Sequence, residues 1–390
     1  MIEAGRVADA NVAPELVGDF QLAADIFGER TSEIIASLTD AQRESICDHE
    51  AEARALVSSV VKLVDGASNE EALLTILRES TIGQIRGGTD GYVLAVYDLK
   101  ASGEHSRRPS TKPPPLRRDH AEKALKICVT SRLSPDSSNE PYIHEGDMIA
   151  IFDGGRPLYQ YPLQRGITGL QKASRMLHLV YSEDALVTRR EHGSNVGKSS
   201  ARGFMTVRQL ENVMLVTAQD ASKLGKRRNK HFEGSTTGDV LGPIGVPDLL
   251  SPLDTWRLTV RAKRSMMGTA RTMGQSTARA GTGAAKSDIA RDDQGVEPMN
   301  FDQMLPEVYS ELLYRAGAIA VIDLTCSDGV LAAECIGLNL PYLGLCFSNE
   351  HACALSVRLA SVVFRKFLTE NSGIYKSSLA SLLCHAAGSN

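Results

Sequence analysis

Aromatic residues are scarce in this chain, at 5% with a single tryptophan, Trp256. That argues against an extended base-stacking surface. No run of eighteen apolar residues occurs, so no membrane-spanning helix is expected. The opening MIEAGRVADANVAPELVGDF lacks both the apolar core of a secretory signal and the Arg/Ser-rich character of a transit peptide. Zinc-type cysteine spacing is also missing. The seven cysteines are odd in number, none forms a C-x-x-C pair, and five fall within the last 65 residues. Buried free thiols and a reducing intracellular compartment are the expectation; cytoplasm, nucleus and organelle matrix are not distinguished.

What is present is enough for a folded core. At 390 residues and 42% hydrophobic content, the chain can form one large α/β domain with accessories or two modest domains. The net charge of −4 hides a division. Residues 1–90 hold 17 acidic and 7 basic residues, a balance of −10, whereas residues 189–280 hold 16 basic and 7 acidic, a balance of +9. A basic middle facing an acidic end reads either as a polyanion site or as mutual neutralisation within or between chains.

The pattern along the chain is helical first, then alternating. DAQRESICDHEAEARALVSSVVKLVDG is expected to be a helix capped at Asp40, with Ile46, Ala53, Leu56, Val57, Val60 and Val61 on one stripe. A second helix is expected over 69–79. YVLAVYD, MIAIF and NVMLVTA read as strands buried on both faces, and HAEKALKICVTSRL as a helix. Residues 101–119 and 134–141 are polar, Pro-rich loops, and 263–297 has no apolar period and reads as a linker or arm. Beyond it come a helix over 302–315, the strand AIAVIDL, a helix over 329–337, the strand YLGLCF and a helix over 349–368. Strands alternating with helices imply parallel pairing. The divisions are 1–84, acidic and helical; 85–262; the linker 263–297; 298–370; and a tail, 371–390.

The segment 318–359 carries the most information. A buried strand ends at Asp323, a tight turn holds Gly329, and a helix follows at once. Such a turn brings a helix N-terminus to the carboxyl edge of a sheet, where nucleotide-like ligands bind. The residues Asp323-Leu324-Thr325-Cys326-Ser327-Asp328-Gly329, Ala332-Ala333, Gly344-Leu345-Cys346 and Arg358-Leu359 resemble those of the N4/N6 amino-methyltransferases of the β arrangement. Those carry D-P-F-x-G-S-G, a small-residue helix, G-x-E, and a helix ending in R-L. FDQMLPEVYSELL, at 301–313, is similar to the helix that precedes this motif and covers the methionine part of the cofactor.

The resemblance implies a doubly wound, mostly parallel α/β sheet of the S-adenosylmethionine methyltransferase type, with a helical N-terminal extension. It also implies S-adenosylmethionine as cofactor, with Asp323, Thr325, Ser327, Asp328, Gly329, Gly344 and Cys346 around it. The departures weaken that binding. Ser327 and Asp328 stand where the family has Gly and Ser, and Cys346 stands where it has the Glu that accepts both ribose hydroxyls. Losing such a charged acceptor costs roughly 1.5–3 kcal/mol. The catalytic D/N/S-P-P-Y/F/W, which holds the target amine and stacks on a flipped base, is absent. Asp98-Leu99-Lys100-Ala101 has its context, directly after a buried strand, so Asp98 is the catalytic candidate.

Three functions follow as expectations. The first is a methyltransferase-fold protein without catalysis, serving as a nucleic-acid-binding or scaffold subunit, with protein partners at the acidic N-terminal region. The second is an active amino-methyltransferase using Asp98. The third is a nucleotide-binding protein using residues 192–199, because Asn195-Val196-Gly197-Lys198-Ser199-Ser200 copies part of a phosphate loop. There, however, His192 takes a required glycine position and the lead-in is charged. For the first, Lys223, Lys226, Arg227, Arg228 and Lys230, with Arg261, Lys263 and Arg264 beside Trp256, are the candidates to grip RNA or DNA phosphates. A solvated loop is the alternative reading of each cluster. No metal site is expected.

Overall fold

The computed structural model describes residues 20–64, 70–98, 118–129, 132–136, 141–142, 144, 147–153, 173–182, 210–217, 229–232, 239–245, 304–326, 329–347 and 349–388. Three helices open it: α1 (Gln21–Phe27), α2 (Thr31–Ser37) and α3 (Asp40–Val60). The cap of α3 is Thr39 rather than Asp40. Its hydroxyl accepts from the Gln42 N–H while the Gln42 side chain accepts from the Thr39 N–H, a reciprocal capping box. Ile46, Ala53 and Val57 form the buried stripe, with Leu56 and Val60 half-buried. Val61 is not on the helix: it starts the short strand β1 (Val61–Leu63). The β-branched Val61 favours the extended chain once a sheet edge is available to pair with.

Then come α4 (Glu70–Glu79), β2 (Tyr92–Asp98), α5 (Arg118–Val129), the two-residue strands β3 (Arg132–Leu133) and β4 (Pro141–Tyr142), and β5 (Met148–Phe152). Arg132 and Leu133 leave the expected helix because Arg132, fully buried, is claimed elsewhere. Its guanidinium reaches Asp147 at 2.7 and 2.8 Å and the carbonyls of Gly91, Thr89 and Arg86 at 2.6, 3.2 and 3.3 Å. Asp147 in turn accepts the Val93 N–H at 2.8 Å. This ion pair fixes the start of β2 against the start of β5.

Next are β6 (Ala173–Tyr181), β7 (Leu210–Thr217) and β8 (Val240–Ile244); β6 and β8 carry no clean sequence signal. Last come α6 (Pro306–Ala316), β9 (Ala318–Asp323), α7 (Val330–Gly337), β10 (Tyr342–Cys346), α8 (Asn349–Phe367) and α9 (Ser377–Gly388). The final stretch, expected as a tail, thus contains a helix with Leu379 and Leu383 buried.

Eight strands form one sheet in the order β1-β10-β9-β2-β5-β7-β6-β8. All neighbours are parallel except the β5–β7 and β7–β6 pairs, so β7 alone runs in reverse. The fold is the expected doubly wound, mostly parallel α/β sheet. AIAVIDL is interior and pairs in parallel with YLGLC, Val321 opposite Tyr342 and Asp323 opposite Gly344. Alternation along the strands divides the core in two. Leu94, Val96, Val321, Tyr342 and Cys346 pack with α1–α3 and α6–α9 on one face. Val93, Ala95, Tyr97, Ile322 and Leu343 pack with α4 and α5 on the other. The N-terminal region is not separate from this sheet, because β1 extends it beyond β10.

Candidate functional site at the carboxyl edge of the sheet

Parallel pairing brings the ends of β2, β9 and β10 to one edge, and with them the two candidate motifs. The Asp98 N–H donates to Thr325 Oγ1 at 3.0 Å across 227 sequence positions. Asp98 is buried, and by strand alternation it shares the α6–α8 face with Asp323.

Asp323 is spoken for by its own chain. Its Oδ1 accepts the Thr325 N–H at 2.9 Å and lies 3.5 Å from the Thr325 hydroxyl. Its Oδ2 accepts the Tyr342 hydroxyl at 3.0 Å. Gly344 makes that last bond sterically feasible. A Cβ there would meet Cys326 Sγ at 2.7 Å and the Tyr342 ring and hydroxyl at 2.8 Å, so the phenol and a thiol occupy the space a side chain would need. Gly329 caps α7 at φ 86°, a left-handed conformation that glycine adopts without strain, and a Cβ there would meet Leu355 and Leu359 at 2.8 and 2.9 Å.

Three buried thiols, Cys326, Cys335 and Cys346, lie in this part of the core. Cys326 lies against Cys346 and donates toward the Leu345 carbonyl at 3.4 Å. Burial, and then contact with Cys346, pushes the Cys326 thiol well above its ordinary range. Burial, and then the Asp323 charge, does the same to Cys335 and to the Tyr342 phenol. Tyr342 therefore stays a hydrogen-bond donor, and Cys326 and Cys335 stay protonated and non-nucleophilic.

Among the described residues, the charged acceptor that the resemblance implies for the cofactor's ribose is replaced by a thiol. Cys346, which the resemblance places at the ribose, is wholly buried, and a thiol cannot take two hydroxyls as a carboxylate does. Ser327, Asp328, Lys223, Lys226, Arg227, Arg228, Arg261, Lys263 and Arg264, together with Asn195–Ser200, the 263–297 stretch and Leu99-Lys100-Ala101, lie outside the described residues. Lys230 is described, is exposed, and sits far from Asp98 in sequence, beside α6.

Sequence reasoning missed one polar row. On the α5 face, by alternation, Asp153 just past the end of β5, Asn212 near the start of β7 and His178 within β6 sit side by side. Asn212 Nδ2 donates to Asp153 Oδ2 at 2.7 Å, and Asn212 Oδ1 lies 2.8 Å from His178 Nδ1. With the amide nitrogen donating to Asp153, the amide oxygen must accept, so His178 carries its proton on Nδ1 and offers Nε2 as acceptor when neutral. Three isolated polar letters in three strands give no sequence signal. Among the described residues, no group of three or more His, Cys, Asp or Glu could hold a metal ion, and no helix is long and apolar enough to cross a membrane.

No protein-family model matches the sequence, and no curated protein matches it. Among solved structures, the chain is similar to the crystal structure of the M1.HpyAVI–SAM complex, at 9% identity and a TM-score of 0.38. The likeness covers 77% of this chain and 98% of that one. It is similar also to the crystal structure of M1.HpyAVI, at 8% identity and a TM-score of 0.38, over the same shares of the two chains.

Proposed function

We propose that this chain is a methyltransferase-like protein that has given up its cofactor, acting as a non-catalytic nucleic-acid-binding or scaffold subunit. One observation carries the reading: Asp323 is bonded by Thr325 and Tyr342 while Cys346 is buried beneath them, so the groups that would hold a nucleoside are turned to internal packing. The charge division supports the nucleic-acid half, since the +9 balance of residues 189–280 is of the sign a phosphate backbone attracts. The acidic balance of residues 1–90 supports basic protein partners at that end.

Calorimetry with S-adenosylmethionine tests the first half. No heat at low-micromolar cofactor is expected, and Cys346→Glu should not restore it, because the neighbouring space is filled. Low-micromolar binding by the wild type would favour the competing reading, an active amino-methyltransferase with Asp98 at its target. Filter binding tests the second half. Replacing Lys226, Arg227, Arg228 and Lys230 with Ala should weaken binding to all sequences alike and lower the salt slope by up to about four units. Equal, poor retention of RNA and duplex DNA by wild type and variant would overturn it.

A further inference from the structure

Glu311, Tyr314 and Arg315 stand at i, i+3 and i+4 on α6, so they form one patch of that helix. The segment 229–232 is laid against this patch and held there by four contacts. Glu311, fully buried, accepts the backbone N–H groups of Lys230 and His231 on Oε2 at 2.8 and 2.7 Å. Phe232 is buried in the core, and Asn229 Nδ2 donates to the Val240 carbonyl at 3.0 Å. Lys230 and His231 are thus exposed side chains on a fixed backbone.

Two features of this patch are unusual. Tyr314 is one of only three large apolar side chains among the described residues that are strongly exposed, at 43%, and the Lys230 ammonium stands over its ring, 5.7 Å from the centroid. Beside it, Arg315 is 7% exposed and gives Nε to Glu311 at 3.2 Å, yet its Nη2 is buried with no hydrogen-bond partner. A buried guanidinium donor without an acceptor is uncommon in a folded protein. Glu311 does not supply it: its Oε2 accepts two backbone N–H groups and its Oε1 the Arg315 Nε–H.

We propose that this patch is a subsite for single-stranded nucleic acid, a base stacking on the exposed Tyr314 ring in place of the Lys230 ammonium, which then meets the adjoining phosphate. It rests on the nucleic-acid reading above and specifies where, and by which chemistry, a strand is held. An exposed aromatic ring with one movable ammonium over it suits an unpaired base and its phosphate, whereas a duplex keeps its bases stacked internally. The scarcity of aromatics argues against an extended platform but not against one stacking position.

Fluorescence anisotropy of labelled oligouridylate and oligothymidylate, each about twelve nucleotides long, and of a duplex, tests this. Tyr314→Ala should weaken both single strands about tenfold with an unchanged salt slope, and should leave duplex affinity unaltered. Tyr314→Phe should bind as the wild type does, because the ring remains. Lys230→Ala should lower the salt slope by about one unit. A preference between the two single strands identifies RNA or DNA as the ligand, and either supports the subsite. If Tyr314→Ala matches the wild type on both single strands, or weakens the duplex equally, the subsite is wrong, although binding lost through the basic run would leave the broader reading standing. No binding of any polynucleotide by the wild type overturns both.

Discussion

Asp98 and Thr325 meet through one hydrogen bond, 3.0 Å from backbone N–H to hydroxyl, joining the end of β2 to the turn after β9. Both groups are buried, so the bond has no water to replace it. Thr325→Val keeps the shape and removes the acceptor, and should cost about 1–3 kcal/mol in urea unfolding. Thr325→Ser should retain most of the stability. Equal loss in both variants would assign the effect to packing of the threonine methyl.

Gly344 is fixed by close approach rather than by backbone angle. Gly344→Ala should destabilise by about 1–3 kcal/mol, because its methyl meets Cys326 and Tyr342. Adding Cys326→Ala should recover part of that loss, giving a non-additive cycle. Strict additivity in chemical denaturation would show that the two side chains do not compete for that space.

The Arg132–Asp147 pair is nearly sealed, with side chains 0% and 3% exposed. Asp147→Ala leaves an uncompensated guanidinium in the core and strips the Val93 N–H of its acceptor. A loss of about 3–5 kcal/mol is expected. A thermal midpoint close to that of the wild type would mean that Arg132 can reach solvent.

Glu50 gives a pH dependence with a definite sign. Its side chain is buried and accepts the Leu22 and Ala23 N–H groups at 2.8 Å, capping α1. Burial raises its carboxyl above the ordinary glutamate value, although those N–H groups and Arg54 pull the other way. Between the ordinary and the raised value, the folded chain binds more protons than the unfolded one. Glu50's contribution to stability therefore falls as pH rises through that window. Glu50→Gln keeps an oxygen acceptor and should remove this slope. Unfolding midpoints from about pH 4 to about pH 8 should converge on, or cross, those of the variant as pH rises; parallel curves would contradict the assignment.

Thiol reactivity should divide by position. Burial pushes Cys128 up to about 12 and Cys326 and Cys335 well above the ordinary range, whereas Cys353 and Cys384 are exposed. Iodoacetamide on the native protein should label Cys353 and Cys384 first and spare those three, along with buried Cys346, until denaturant is added. Peptide mapping that finds Cys326 or Cys346 labelled early would show that the edge of β9 and β10 opens readily.

The strands YVLAVYD, MIAIF and AIAVIDL are legible as sequence because strands buried on both faces are continuous apolar runs, whatever lies beside them. The glycine turn at 329 is legible for a similar reason: a strand, a tight turn and a helix are all local. The chain could not, by itself, announce β1, β6 or β8, whose residues become strands only through partners distant in sequence. Nor could it announce α9, or the burial of Arg132 by carbonyls more than forty positions away. The candidate site divides the same way. Its residue types, Asp323, Gly344 and Cys346, are written in one short segment. That Tyr342 lies across Gly344 and takes the Asp323 carboxylate, and that Glu311 holds Lys230 beside Tyr314, were decided by tertiary packing, because a side chain's hydrogen-bond partner depends on which elements the sheet order places together.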